Sequence, residues 1–125
     1  MIAVDTSSFI AYLSGAEGAD VKAVEAALAE SQVCLPPVAL TELLSDPKLP
    51  KAVAAVFSDL PLLEITEGYW QRAGLLRSRI LAMKRKARLA DTLITQSCLD
   101  HDVPLIARDG DYRHFVRAAG LKLLS

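Results

Sequence analysis

Four acidic residues stand where this chain turns between apolar runs and helical stretches. Asp5 ends the run Ile2-Ala3-Val4, and Asp109 lies just past Pro104-Leu105-Ile106-Ala107. Glu42 falls early in the helical stretch that follows Val33-Cys34-Leu35, and Asp91 opens the stretch that precedes Pro104. The neighbours of Glu42 (Val38, Ala39, Leu40, Leu43, Leu44) and of Asp91 (Leu89, Ala90, Leu93, Ile94) are apolar. Carboxylates gathered in such a setting repel one another and lose hydration, so they stay ionised together only around a cation. Hard oxygen donors point to Mg²⁺, with Mn²⁺ able to substitute. For Asp5 or Asp91 taken singly, a plain helix cap or dipole partner is the alternative reading.

Other chemistries find no support. His101 and His114 are isolated and expected at the surface, and Cys34 and Cys98 match no metal or redox spacing, so a zinc site is not expected. A Gly-x-Ser-x-Gly elbow and a phosphate-cradling glycine loop are both missing. A phosphotransferase built on an early strand-end Asp wants a second Asp two residues on, and Ser7 occupies that place. The net charge of −1 conceals two halves of opposite sign: residues 1–67 carry ten acids and three bases, residues 68–125 five acids and eleven bases. Between Glu67 and Asp91 there is no acid, yet Arg72, Arg77, Arg79, Lys84, Arg85, Lys86 and Arg88 fall there. Such a segment attracts a polyanion locally; a solvated helix face accounts for the same charges without one.

These residues must be positioned by a single domain. At 125 residues with 52% hydrophobic and 23% charged residues, the chain can bury a core and is not disordered. It has no basic leader before an apolar stretch and no run long enough to span a membrane, so a cytoplasmic protein is expected. Short strands are predicted at Ile2–Val4, Val33–Leu35, Leu62–Ile65, Pro104–Ala107 and Leu121–Leu124, alternating with helices. The longest helix is predicted over Glu67–Arg88, with Tyr69, Ala73, Leu76, Ile80 and Met83 as its buried stripe. This alternation means an α/β sandwich with a mainly parallel sheet. Phe9, Tyr12, Leu13, Val53, Val56 and Phe57 belong either to the core or to an interface.

Asp5-Thr6-Ser7-Ser8-Phe9-Ile10, Thr41-Glu42-Leu43, Leu89-Ala90-Asp91-Thr92-Leu93-Ile94 and Leu105-Ile106-Ala107-Arg108-Asp109-Gly110-Asp111-Tyr112 follow one another at characteristic separations. Together they resemble the PIN-domain ribonucleases, and most of all the VapC-type toxins of bacterial and archaeal toxin–antitoxin pairs. The resemblance covers nearly the whole chain and implies one PIN domain over residues 1–125. It implies a PIN-like three-layer sandwich, its sheet of about five mainly parallel strands flanked by helices. Asp5, Glu42 and Asp91 match the family's three most regular acidic positions and Asp109 the fourth, which makes all four candidate catalytic and metal-binding residues. Asp5 and Asp91 are expected to hold Mg²⁺ directly, Glu42 and Asp109 directly or through water, with Glu42 orienting or deprotonating the nucleophile. Ser7 matches a small polar residue that steadies the site, and Asp111 a supporting acid. Two positions depart from the pattern: Ala107 stands in place of a Thr or Ser, and Tyr112 in place of Phe.

The activity so implied is metal-dependent endoribonuclease cleavage of RNA phosphodiester bonds, leaving a 5′-phosphate and a 3′-hydroxyl. The partners implied are RNA, a cognate antitoxin with a segment in the active-site groove, and a second copy of the chain in a homodimer. Arg108 and Arg113 near the acids, and Lys84, Arg85 and Lys86 toward the end of the long helix, are the expected RNA-binding residues. Tyr112 and Trp70 are candidates for stacking an unpaired base, with the structural reading preferred for Trp70. Two other readings fit the same motifs: a PIN domain that processes RNA without an antitoxin, and a catalytically silent PIN-like module that binds RNA or protein.

Overall fold

The computed structural model describes residues 1–125. In chain order the elements are β1 (Ile2–Val4), α1 (Thr6–Leu13), α2 (Ala19–Ala29), β2 (Val33–Cys34), α3 (Pro37–Leu44) and α4 (Lys51–Asp59). Then come α5 (Tyr69–Ala82), α6 (Leu89–His101), β3 (Leu105–Ile106), a 3₁₀ turn at Gly110–Tyr112 and α7 (Arg113–Ala119). The three strands form a parallel sheet in the order β2-β1-β3. Ala3 is the hub of its register, facing Cys34 on one side and Leu105 on the other.

The sheet has three strands rather than about five, because the two outer runs each contribute a single parallel bridge: Leu35 with Leu62, and Leu105 with Leu123. Pro61 has no N–H to extend a ladder, and only Leu63 of the run 62–65 is buried, so Leu35 N–H to Pro61 O and Leu63 N–H to Leu35 O are the whole pairing. The C-terminal tail hangs on β3 through Leu105 N–H to Lys122 O, Leu124 N–H to Leu105 O and Ala107 N–H to Ser125 O. With these bridges included, the order across the sheet is residue 62, β2, β1, β3, residue 123. The chain winds outward in both directions from β1, so its direction switches between β1 and β3. The crevice beyond the carboxyl ends of those two strands is where an open α/β sheet binds its ligand.

The sheet is fully apolar: Ala3, Val4, Leu35, Leu105 and Ile106 are all inaccessible to solvent. Phe9 of α1 meets Phe57 of α4 edge-on at 5.0 Å, a contact worth about 0.5–1.5 kcal/mol beyond area burial. The stripe Tyr69, Ala73, Leu76 and Ile80 of α5 is buried as predicted, against α6 and α7. Met83 is not part of it. The helix stops at Ala82, Lys84 takes a left-handed φ of 57°, and Met83 is half exposed. Lys84, Arg85 and Lys86 therefore occupy an exposed loop between α5 and α6 and not the end of a long helix. Arg77 Nε fastens that loop by donating to Ala87 O at 2.7 Å. No helix is long and apolar enough to cross a membrane.

Candidate active site

Asp5 follows β1 directly and is the N-cap of α1, its carboxylate accepting from the Ser7 N–H and the Ser7 hydroxyl at the same oxygen, Oδ2. A short side chain in extended backbone at this position closes the first helical turn, which is why Asp-Thr-Ser can serve both cap and site. Asp91 lies in the first turn of α6, not at its opening, since the helix begins at Leu89 behind Arg88. That turn is held by Thr92, whose N–H and hydroxyl both donate to Arg88 O. Asp109 caps the 3₁₀ turn after β3 by accepting from Asp111 N–H at 2.9 Å.

One side chain joins these elements. The Tyr112 hydroxyl donates to Asp5 Oδ1 at 2.8 Å and lies 3.3 Å from Asp91 Oδ1, with the whole residue inaccessible to solvent. Burial, the charges of Asp5 and Asp91 and the hydrogen bond to Asp5 push its phenol far above the usual range, so it remains a donor. Asp91 shows the cost of the gathering: its carboxyl is lifted from 3.8 to about 6 by burial first, then by the charges of Asp5 and Asp109. The Tyr112 contact and the charge of Arg88 pull the other way and do not win.

The remaining predicted residues divide. Glu42, exposed on α3, accepts from the Thr6 hydroxyl at 2.8 Å, which anchors it beside the residue following Asp5. Asp111 turns its carboxylate toward His114, 4.0 Å away. Arg108 forms a bidentate bridge to buried Asp20, at 2.9 and 3.1 Å, and donates to Glu17 O, so its guanidinium is occupied with joining β3 to α2. Gly18 permits that bridge, because a side chain there would meet Arg108 at 2.8 Å and Asp20 at 2.6 Å. Arg113 is exposed and donates to Gly110 O. Two aromatic expectations fail. Tyr112 is buried and has no face to offer a base, whereas Trp70, expected to be structural, is 62% exposed.

Two contacts at the site are not apparent from the sequence. Arg88 reaches Asp109 Oδ2 at 3.5 Å, which makes it the cation nearest the acids, and its position three residues before Asp91 is the one signal that points to it. Nothing in the sequence signals that the Tyr112 hydroxyl spans Asp5 and Asp91.

No three acidic, His or Cys side chains converge into a ready-made metal cage. The donors still fit a cation that keeps most of its waters: two buried or half-buried carboxylates from different elements, oxygen only, and a mutual repulsion recorded in the Asp91 carboxyl. Separately, an entirely apolar groove of ≈ 320 Å³ opens between α1, α2 and α4. Tyr12, Leu13, Val53 and Val56 line its open side, while Phe9 and Phe57 form its buried floor.

The family model described as PIN domain matches residues 2–120. No curated protein matches the chain. Among solved structures, a chain of the VapBC2 complex from Rickettsia felis, bound to a DNA fragment from its promoter, superposes with a TM-score of 0.72. The two are 18% identical, over 98% of this chain and 97% of that one, which is a likeness of fold.

Proposed function

The chain belongs to the PIN-domain family, and on that premise we propose that it is a Mg²⁺-dependent endoribonuclease acting as the toxin of a toxin–antitoxin pair. The observation that carries the reading is the meeting of Asp5 and Asp91 on one buried phenol, beyond the strand ends where the sheet switches direction. Two carboxylates so placed destabilise the empty site and gain most from a divalent ion. When bound, that ion lowers the pKa of a water and neutralises charge on phosphoryl oxygens.

The chain's own residues supply the rest. Asp5, the N-cap of α1, fixed by Ser7 and Tyr112, and Asp91, in the first turn of α6, would hold the ion. Glu42, on its tether from Thr6, accepts a proton from the attacking water or orients it. Asp109 reaches the site through water. Arg88, drawn to Asp109 and otherwise exposed, is placed to meet the phosphate that the acids themselves repel. The water oxygen bonds to phosphorus as the bond to the 3′-oxygen breaks, and solvent water supplies the proton that the departing oxygen takes, leaving a 5′-phosphate and a 3′-hydroxyl. The exposed loop Lys84-Arg85-Lys86 continues the cationic path away from Arg88, and Arg113 adds to it. A toxin of this kind works in the cytoplasm, with Mn²⁺ able to replace Mg²⁺.

The apolar groove between α1, α2 and α4 supports a protein partner, either an antitoxin segment or a second copy of the chain in a homodimer. The VapBC2 likeness favours the antitoxin, since that neighbour was solved as a complex. To test the activity, the purified chain is incubated with cellular RNA and Mg²⁺. Fragmentation that stops with chelator and is absent in Asp5→Asn is the expected result. Intact RNA with the wild-type chain under every divalent ion contradicts the proposal.

A further inference from the structure

A second hollow shares Glu42 with the candidate active site. It measures ≈ 320 Å³ and lies between α1, α3 and the loop that leads into α4. Ile10 and Leu13 of α1, each about half exposed, and Leu49 and Pro50 of the loop give it apolar walls. Apolar walls with a few polar groups are the make-up of a small-ligand pocket. Those polar groups are Glu42, Asp46 and Ser14, and they offer one kind of contact. The Ser14 hydroxyl donates to Ala11 O at 3.0 Å and the Ser14 N–H to Ile10 O, so Ser14 is left with oxygen lone pairs. Asp46 Oδ1 accepts from the Lys48 N–H at 2.9 Å and Asp46 O from the Leu49 N–H, so these loop donors are engaged while Asp46 Oδ2 has no partner. Glu42 likewise keeps one carboxylate oxygen clear of Thr6. The hollow therefore presents acceptors and negative charge, which repel a phosphate and suit a flat, neutral group with N–H donors along its edge.

We propose that this hollow is a base-recognition subsite, in which Asp46 and Ser14 select an unpaired guanine of the RNA strand being cut. The inference rests on the reading that the chain cleaves RNA at Asp5, Asp91 and Glu42. Because Glu42 belongs to both places, a strand with its phosphate at the aspartates carries a neighbouring base past this opening. Proteins read such unstacked bases by packing side chains on the ring and by hydrogen bonds to its Watson–Crick edge. Guanine has two adjacent donors on that edge, the ring N1–H and the exocyclic amino group, to match the free oxygens of Asp46 and Ser14. Uracil has a single N–H set between two carbonyl oxygens, which the acceptors of the hollow repel. Adenine and cytosine bring one amino group beside a ring-nitrogen acceptor and rank between the two.

The test uses single-stranded oligouridylates carrying one guanosine, incubated with the full chain and Mn²⁺, with the cut bonds mapped by gel. Wild type is expected to cut one bond, at a fixed offset from the guanosine, at least about tenfold faster than the others, the usual discrimination of a paired hydrogen-bond contact to a base. Moving the guanosine along the strand should move the cut with it. Inosine, which lacks only the exocyclic amino group, should lose much of the advantage. Asp46→Asn keeps an oxygen to cap the Lys48 N–H but can turn an amide donor toward the base. It should lower the guanosine preference roughly tenfold, and inosine should then be cut no worse than guanosine. Ser14→Ala should narrow the preference by a smaller factor and serves if the first variant does not fold, as judged by thermal melting in chelator. The preference is a ratio within one strand, so a general loss of activity does not move it. Even cutting along the strand by wild type, or a guanosine preference that both variants retain, overturns the subsite alone and gives the hollow to a protein segment. Failure of wild type to cut any strand overturns the nuclease reading and the subsite with it.

Discussion

Asp91→Asn should stabilise the metal-free protein, and the structure gives the size of the effect. The Asp91 carboxyl is raised from 3.8 to about 6. A carboxyl raised on folding binds more protons in the native chain than in the unfolded one, so native stability falls as pH climbs from about 4 to 6 and stays low above. At about 1.4 kcal/mol per pH unit, the penalty for ionised Asp91 at neutral pH is at most ~3 kcal/mol. Partial hydration of this half-buried group brings it to roughly 1–2 kcal/mol. Asn keeps the shape and an oxygen facing Tyr112 but carries no charge. In a domain of this size, melting should rise by about 3–8 °C at about pH 7.5 in chelator. At about pH 4.5, where wild-type Asp91 is already protonated in the native state, most of that gain should vanish. The assay is thermal unfolding of both proteins at both pH values, repeated with Mn²⁺, which should raise the melting temperature of wild type alone. A fall in melting temperature in chelator would refute the reasoning and leave Asp91 as a structural capping residue. A gain of equal size at both pH values would show that its charge is not the cause.

Other consequences concern residues that do not hold the metal. Arg108→Ala leaves the buried carboxylate of Asp20 with Ser8 as its one side-chain partner, and should cost about 2–3 kcal/mol, below the full value for a buried pair because Arg108 is partly solvated. Adding Asp20→Asn should restore much of the loss in denaturant unfolding, and an undiminished loss would deny the bridge its role. Replacing Lys84, Arg85 and Lys86 by Ala should weaken RNA binding and flatten its salt dependence by roughly one unit of slope for each phosphate deprived of its cation, with Mn²⁺ affinity unchanged. An unchanged slope would make this loop a solvated surface. Arg88→Ala should reduce RNA binding as well, with a direct effect on cleavage that the loop variant lacks, and single-turnover kinetics separate the two.

Much of this molecule is legible in its sequence because the signals are local. Three apolar residues followed by Asp and small hydroxyls can hardly be read otherwise than as strand, cap and helix, and β1 with α1 forms accordingly. The spacing of Tyr69, Ala73, Leu76 and Ile80 marks the buried face of α5 for the same reason. What fails depends on neighbours from elsewhere in the chain. Met83 continues the helical spacing, yet the backbone turns at Lys84 and the residue faces solvent. Leu62–Ile65 and Leu121–Leu124 have strand composition but find only a single bridging residue each at the sheet edges. Arg108 reads as a cation beside the site until Asp20, 88 positions away, is seen to hold it. The Tyr112 hydroxyl is the extreme case, since its partner Asp5 lies 107 positions away and no periodicity encodes the meeting.

The most direct measurement of the central claim is the chemistry of the cut ends. A single-stranded oligoribonucleotide is incubated with the purified chain and Mn²⁺, and the products are tested for a 5′-phosphate and a 3′-hydroxyl. The account predicts those ends with wild type, and full-length RNA with chelator, with Asp5→Asn and with Asp91→Asn. Cleavage that persists in either variant, or products ending in a 2′,3′-cyclic phosphate, would contradict it.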